Sequence, residues 1–223
     1  MARVILFDVN ETLLDLKALD PHFERIFGSK AVRGQWFAQL LRLSMVATIT
    51  DTYHDFGALA GDALDMIALR EGMTLANEER TQILKAIGSL PPHPEVAESL
   101  ELLQHAGLRL ATLTNSPPRV VEAQMQHSGL RPYFERLLSV DAVRQFKPAR
   151  ATYEYAAHEL GVSVTDLRLV AAHDWDIAGA MHAGCAAAFV ARPGQVLGSL
   201  QTKPDIIGAD LTEVARQIVA GAR

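Results

Sequence analysis

The chain has 223 residues, 49% hydrophobic and 21% charged, the proportions of a folded protein with a sizeable apolar core rather than of a disordered one. A formal net charge of -5 with no cluster of Lys and Arg excludes a nucleic-acid surface, which needs dense cations against phosphates. The single cysteine, Cys185, and the lack of a zinc-like Cys/His spacing, of a cationic leader and of an apolar run long enough for a bilayer point to a cytoplasmic protein with no membrane partner.

The first apolar run, Val4 to Phe7, reads as a buried strand and ends at Asp8, followed by Val9-Asn10-Glu11-Thr12-Leu13. A carboxylate at such a tip either faces a ligand or caps the next helix. From Asp15 to Pro92 the rhythm changes: Trp36, Leu40 and Leu43, then Leu59, Ala63, Met66 and Ile67, recur at helical spacing with no convincing strand. This reads as an inserted helical subdomain, closed by Pro91-Pro92-His93-Pro94.

Beyond it, strands and helices alternate. Val96, Leu100 and Leu103 share a helix face before Gly107, and a strand is expected over Leu108 to Leu113. That strand delivers Thr114-Asn115-Ser116 ahead of Pro117-Pro118 and a helix with Val121 and Met125. A hydroxyl and an amide thus meet a helix N-terminus, a natural place for an anion, although Ser116 also reads as a plain cap. Phe146-Lys147-Pro148 then leads into a helix with Tyr153, Ala157 and Leu160. A lone lysine is usually solvated. Placed ~4 Å from Asp8, it would attract the carboxylate by roughly 4 kcal/mol at an effective dielectric near 20, enough to keep it ionised.

A further strand over Leu167 to Ala172 releases His173-Asp174-Trp175-Asp176, dense in acids and imidazole. Each also has a bland use, as a hydrogen-bonded core histidine or a cap. Ala186 to Val190, and more weakly Ile206-Ile207, supply the last strands. The alternation implies an α/β fold, a doubly wound Rossmann-like parallel sheet with an inserted helical cap. The expected division is a core of residues 1-14 and 93-223 and a cap of residues 15-92. In such sheets the reactive groups sit beyond the carboxyl ends of the strands.

With these segments in this order, nearly the whole chain resembles the haloacid dehalogenase superfamily, and within it the type II L-2-haloacid dehalogenases. The four motifs are Asp8 to Leu13, Thr114-Asn115, Lys147-Pro148 and the loop to Asp176. Phosphatases of that superfamily carry an aspartate two residues after the nucleophile and a Gly-Asp pair before the last acid. This chain has Asn10, which cannot relay a proton, and Ala171-Ala172, which weakens magnesium ligation by Asp8, Asp174 and Asp176. The dehalogenase branch matches in Tyr153, six residues after Lys147, in Trp175-Asp176, and in Trp36 to Phe56 as the first cap segment.

The resemblance implies hydrolysis of short 2-haloalkanoic acids. Asp8 would attack C2 with loss of halide, and water would then hydrolyse the aspartyl ester. Asp8, Lys147, Asp176, His173 and Thr12 form the implied catalytic set; Asn10, Thr114, Asn115, Phe37, Leu41, Phe56, Tyr153 and Trp175 the implied substrate site. Leu41, Phe56 and Trp175 would wall the pocket, and Tyr153 would support Lys147. No cofactor and no metal is expected, and a homodimer is. Three departures alter the halide site: Phe37 replaces an arginine, Asn10 a tyrosine, and Ala171 and His173 a serine and an asparagine. His173 would act as a second donor or as a base, a variation associated with relatives similar to fluoroacetate-active dehalogenases. The alternatives are a magnesium-dependent phosphatase of a small metabolite and a non-catalytic ligand-binding relative.

Overall fold

The computed structural model describes residues 4-221. Residues 1-3 and 222-223, which the expected core includes, lie outside the described residues. Strand β1 (Val4–Phe7) is apolar and buried throughout, as a strand covered by helices on both faces must be. Four helices follow: α1 (Asp20–Phe27), α2 (Val32–Ile49), α3 (Phe56–Arg70) and α4 (Asn77–Ala86). The segment holding them is pinned where it leaves and rejoins the sheet. Leu14 forms an antiparallel bridge with Pro92, the Asp15 N–H donates to the Pro91 carbonyl at 2.9 Å, and the His93 N–H donates to the Leu13 carbonyl at 3.0 Å.

The remaining elements alternate: α5 (Val96–His105), β2 (Arg109–Thr114), α6 (Pro118–His127), β3 (Arg136–Ser139), α7 (Arg150–Leu160), β4 (Leu167–Ala171), α8 (Asp174–Ala183), β5 (Ala186–Val190), β6 (Ile206–Gly208) and α9 (Leu211–Gly221). They build one sheet in the order β3-β2-β1-β4-β5-β6, with each pairing parallel. The chain runs outward from β1 to β2 and β3, then returns to place β4 on the other flank of β1. That reversal opens a crevice at the carboxyl end of β1, where ligands bind in doubly wound sheets. Asp8 is the first residue in it.

Strand β3 escapes the sequence reading. Its four residues begin with the exposed Arg136, and an edge strand so short has no apolar run of its own to betray it. Strand β2 lies one residue later than expected, so Thr114 ends the strand instead of following it.

Among the inserted helices, α2 packs along α3. The Trp36 indole N–H donates to the Ala60 carbonyl at 3.0 Å, and the ring lies 5.4 Å from that of Phe23 in α1. Alanines at 60 and 63 are buried in the seam and let the helices approach. The Asp55 carboxylate caps α3 by accepting the Ala58 N–H at 3.0 Å.

Candidate active site

Asp8 is 5% exposed, and Lys147 and Asp176 are 1% and 0% exposed. Three ionisable groups so deep must neutralise one another, because an unpaired buried charge costs several kcal/mol. They do so by converging. Lys147 Nζ donates to Asp8 Oδ1 at 2.8 Å and to Asp176 Oδ2 at 2.6 Å. An ammonium has three hydrogens, so one remains for a ligand. The Tyr153 hydroxyl donates to Asp176 Oδ1 at 2.6 Å, and so supports the lysine through the aspartate rather than directly.

The approach of α8 to the lysine loop is very close. A Cβ at Gly179 would clash with the Pro148 Cβ and lie 2.8 Å from the Pro148 carbonyl oxygen. Glycine there lets α8 press Asp176 onto Lys147 and Tyr153. The Lys147 N–H also donates to Asn115 Oδ1 at 3.0 Å, which fixes Asn115 with its amide hydrogens turned away from that bond.

The second oxygen of Asp8 is occupied differently. Oδ2 accepts the Thr12 hydroxyl at 2.7 Å and lies 3.2 Å from His173 Nδ1. Thr12 Oγ1 in turn accepts the Ala172 N–H at 2.9 Å, so its proton points at Asp8. A carboxylate oxygen has two lone pairs. Both are engaged on Oδ2; on Oδ1 only one is, by the lysine, and the other is free. His173 Nε2 lies 2.9 Å from Glu11 Oε2.

These contacts set the proton affinities. Burial alone would raise the Asp8 carboxyl, but the Lys147 ammonium and the His173 ring outweigh it and hold the group well below the usual carboxylate range. Burial disfavours a charged His173, yet hydrogen bonds to Asp8 and Glu11 raise it to about 9. Asp176 is pushed up by burial against the attraction of Lys147, with Asp8 adding to the rise. Lys147 stays charged: burial lowers its proton affinity, and Asp176 and Asp8 more than restore it. Asp8 is therefore held ionised, and Asp176 is a carboxylate inclined to take a proton.

Beside this cluster lies a cavity of about 160 Å³ whose wall includes Asn10, Trp36, Phe37, Leu40, Phe56 and Ser116. It is small beside the ~300–1,000 Å³ of pockets for drug-sized ligands. Phe37 joins the two regions, its ring 5.9 Å from that of His173. Phe37 and Phe56 both line this cavity. Leu41 and Trp175 do not line this cavity. Leu40 lines it instead, since one residue turns a helix face by about 100°. Trp175 stacks on His173 at 5.1 Å, with Lys147 Nζ 5.9 Å over its ring.

The remaining expected residues line the crevice. Asn10 donates to the Ser116 hydroxyl at 3.3 Å and accepts from Gln124 Nε2 at 2.9 Å, a structural amide at the cavity wall. Thr114 Oγ1 accepts the Ser116 N–H at 3.1 Å, which leaves its own proton free. Asp174 accepts from Gln201 Nε2 at 3.3 Å, turned to a partner other than the Asp8 and Asp176 pair. Among the described residues, no three His, Cys, Asp or Glu side chains gather as a metal ion requires. Lys147 supplies the cation between Asp8 and Asp176.

Sequence reasoning missed two members of the cluster. Glu11 has a φ of 62°, uncommon for a residue with a side chain and frequent at working sites. Gln195 reaches Glu11 Oε2 at 3.1 Å from the loop after β5. The polar turn after Asp8 was the only signal for Glu11; nothing local marks Gln195.

Comparison with known proteins gives the family. The family model described as hydrolase, haloacid dehalogenase-like hydrolase, matches residues 2–184. The (S)-2-haloacid dehalogenase of Pseudomonas sp. (strain YL) is 30% identical over 203 residues, 90% of this chain and 88% of that one. The (S)-2-haloacid dehalogenase H-109 of Pseudomonas putida is 27% identical over 213 residues, 95% of each. The structure of L-2-haloacid dehalogenase from Xanthobacter autotrophicus superposes with a TM-score of 0.91 at 25% identity, covering 98% of both chains. A family model that matches most of the chain and a relative 30% identical over nearly its whole length lead to one assignment: the chain belongs to the haloacid dehalogenase-like hydrolase family.

Proposed function

We propose that the protein is a hydrolase of carbon–halide bonds that converts short 2-haloalkanoic acids, such as haloacetates and 2-halopropionate, to 2-hydroxy acids. One observation carries the reading: Asp8 is held ionised by Lys147 at 2.8 Å, with one lone pair of Oδ1 left unengaged. The names of the relatives reported above support the substrate class.

In the first step Oδ1 attacks C2 in line with the halogen; the C–O bond forms as the carbon–halogen bond breaks and halide departs. Inversion at C2 follows. The third Lys147 hydrogen, the Thr114 hydroxyl and nearby backbone N–H groups hold the substrate carboxylate, and the Asn115 amide helps to receive the halide. Holding carboxylate and carbon in a near-attack pose contributes roughly 7–11 kcal/mol. In the second step water attacks the Asp8 carbonyl, with Asp176 as base. Asn10, fixed between Ser116 and Gln124, does not shuttle the proton that a phosphatase needs there.

Residues 15-92 act as a cap over a core of residues 1-14 and 93-223, and Phe37 and Phe56 carry its apolar surface to the cavity. The clasp of Leu14 on Pro92 supports that division. Among the described residues no helix is long and apolar enough to cross a membrane; a cytoplasmic homodimer is the working state, which light scattering checks. The functional test is free halide from chelator-treated protein incubated with chloroacetate, fluoroacetate and 2-chloropropionate. Release from at least one is expected. No release from any, beside turnover of a phosphate ester with magnesium, contradicts the reading.

A further inference from the structure

Glu11 has no task in that mechanism, yet it is held from three sides. His173 Nε2 lies 2.9 Å from its Oε2, Gln195 Nε2 donates to the same oxygen at 3.1 Å, and Arg33 of α2 approaches Oε1 at 3.6 Å. Both nitrogens of His173 face carboxylate oxygens, which only accept when ionised. Each nitrogen therefore carries a hydrogen, and the ring is an imidazolium. Phe37 from α2 and Trp175 from α8 pack on it at 5.9 and 5.1 Å, so its plane is set as well as its charge.

We propose that Glu11 is a positioning residue that fixes His173 as the second donor, with Thr12, of an oxyanion hole around Asp8 Oδ2, acting when the ester is hydrolysed and not when it forms. The inference rests on the covalent reading above. In the ester, Oδ1 is bonded to the substrate carbon and Oδ2 is the carbonyl oxygen. Water attacks Cγ and gives a proton to Asp176, and the carbonyl electron pair moves to Oδ2. Thr12 and His173 meet that charge with hydrogen bonds already aimed at it. Collapse restores the carbonyl and breaks the Cγ–Oδ1 bond; the departing alkoxide takes the proton from Asp176, and the remaining acid proton of Asp8 leaves to solvent. In the first step charge flows away from Asp8, so the same donors stabilise the reactant and give no acceleration. The two steps should respond to Glu11 differently.

The test is rapid-quench halide release with intact-mass measurement on the wild type and Glu11→Gln, using chloroacetate. The variant is expected to lose steady-state turnover by about 10- to 100-fold, below or near the ~10²–10³ lost when an oxyanion donor is removed outright. It should still release a burst of about one halide per site and accumulate the Asp8 adduct. Its hydrolysis step should also fall off at lower pH than in the wild type. The groups facing His173 are Asp8 and Glu11, with Lys147 beyond the first and Arg33 beyond the second, and only Glu11 has changed. Glu11→Asp, which keeps the charge, should recover part of the rate.

Unchanged turnover overturns the inference, as does a loss in which the burst falls in step and no adduct builds up. Should Glu11→Gln not fold, Gln195→Ala is expected to give the same partition with smaller amplitude, and no shift in partition there overturns the inference equally. Wild-type halide release that never passes through an Asp8 adduct sinks the covalent reading and this one with it.

Discussion

The polar cluster at the tip of β1 and the apolar cavity beside it are built on opposite rules. The cluster is held by hydrogen bonds between charged or polar atoms, and removing one partner strands another in a dry interior. In the cavity Trp36, Phe37, Leu40 and Phe56 offer shape alone, and such walls tolerate exchange at the cost of packing. The comparison teaches where chemistry and selectivity would reside in the proposed reaction: the first region governs whether it occurs, the second what enters.

The sharpest way to break that division is Asp8→Asn. It preserves size and removes the attacking charge, so halide release should fall by at least ~10⁴-fold, on the scale of losing a covalent nucleophile, in a fast halide assay. Next is Lys147→Ala, which removes the cation between Asp8 and Asp176. A loss of about 3–5 kcal/mol by denaturant unfolding is expected, together with loss of activity; a variant as stable as the wild type contradicts the clamp.

His173 predicts a pH signature. Its folded-state proton affinity, raised to about 9 from 6.5, makes a stabilising contribution that is fully present below pH 6.5. That contribution fades as pH rises towards about 9, because the folded state holds a proton that the unfolded chain has released. Thermal melts across that window should decline in the wild type and be flatter in His173→Asn. Gly179→Ala tests the same cluster from behind. With Pro148 backbone 2.8 Å from the added Cβ, overpacking of about 1–3 kcal/mol and slower turnover are expected.

The smallest effect belongs to the cavity. Leu40→Ala should leave kcat on chloroacetate within about 10-fold and move preference towards longer 2-haloacids, within the ~1–3 kcal/mol that apolar pockets discriminate. A collapse of chloroacetate turnover in that variant would blur the division between the two regions.

The cluster was legible in the sequence because its main members stand directly after apolar runs. Asp8 follows Val4 to Phe7, Asn115 follows β2, and His173 and Asp176 follow β4. Lys147 has no such strand behind it and was read from the Phe146-Lys147-Pro148 segment. The sheet was legible for the same reason, save β3, whose RLLS stretch is too short to stand out. The cavity was less so. Which of Leu40 and Leu41 lines the cavity depends on how α2 is rotated, which is fixed by the Trp36 bond to Ala60 and not by local pattern. Glu11 was visible only as one polar residue in a turn: its role depends on a left-handed φ and on Gln195, 184 positions away. Contacts of that range leave no periodicity to read.

The most direct measurement of the central claim is a single turnover in water enriched in heavy oxygen, followed by mass analysis of both protein and product. Passage through an ester puts the label into the Asp8 side chain and leaves the first product unlabelled, because the new hydroxyl oxygen comes from Oδ1. Label appearing at once in the product, with none in Asp8, would show that water attacks the carbon itself and would contradict the account.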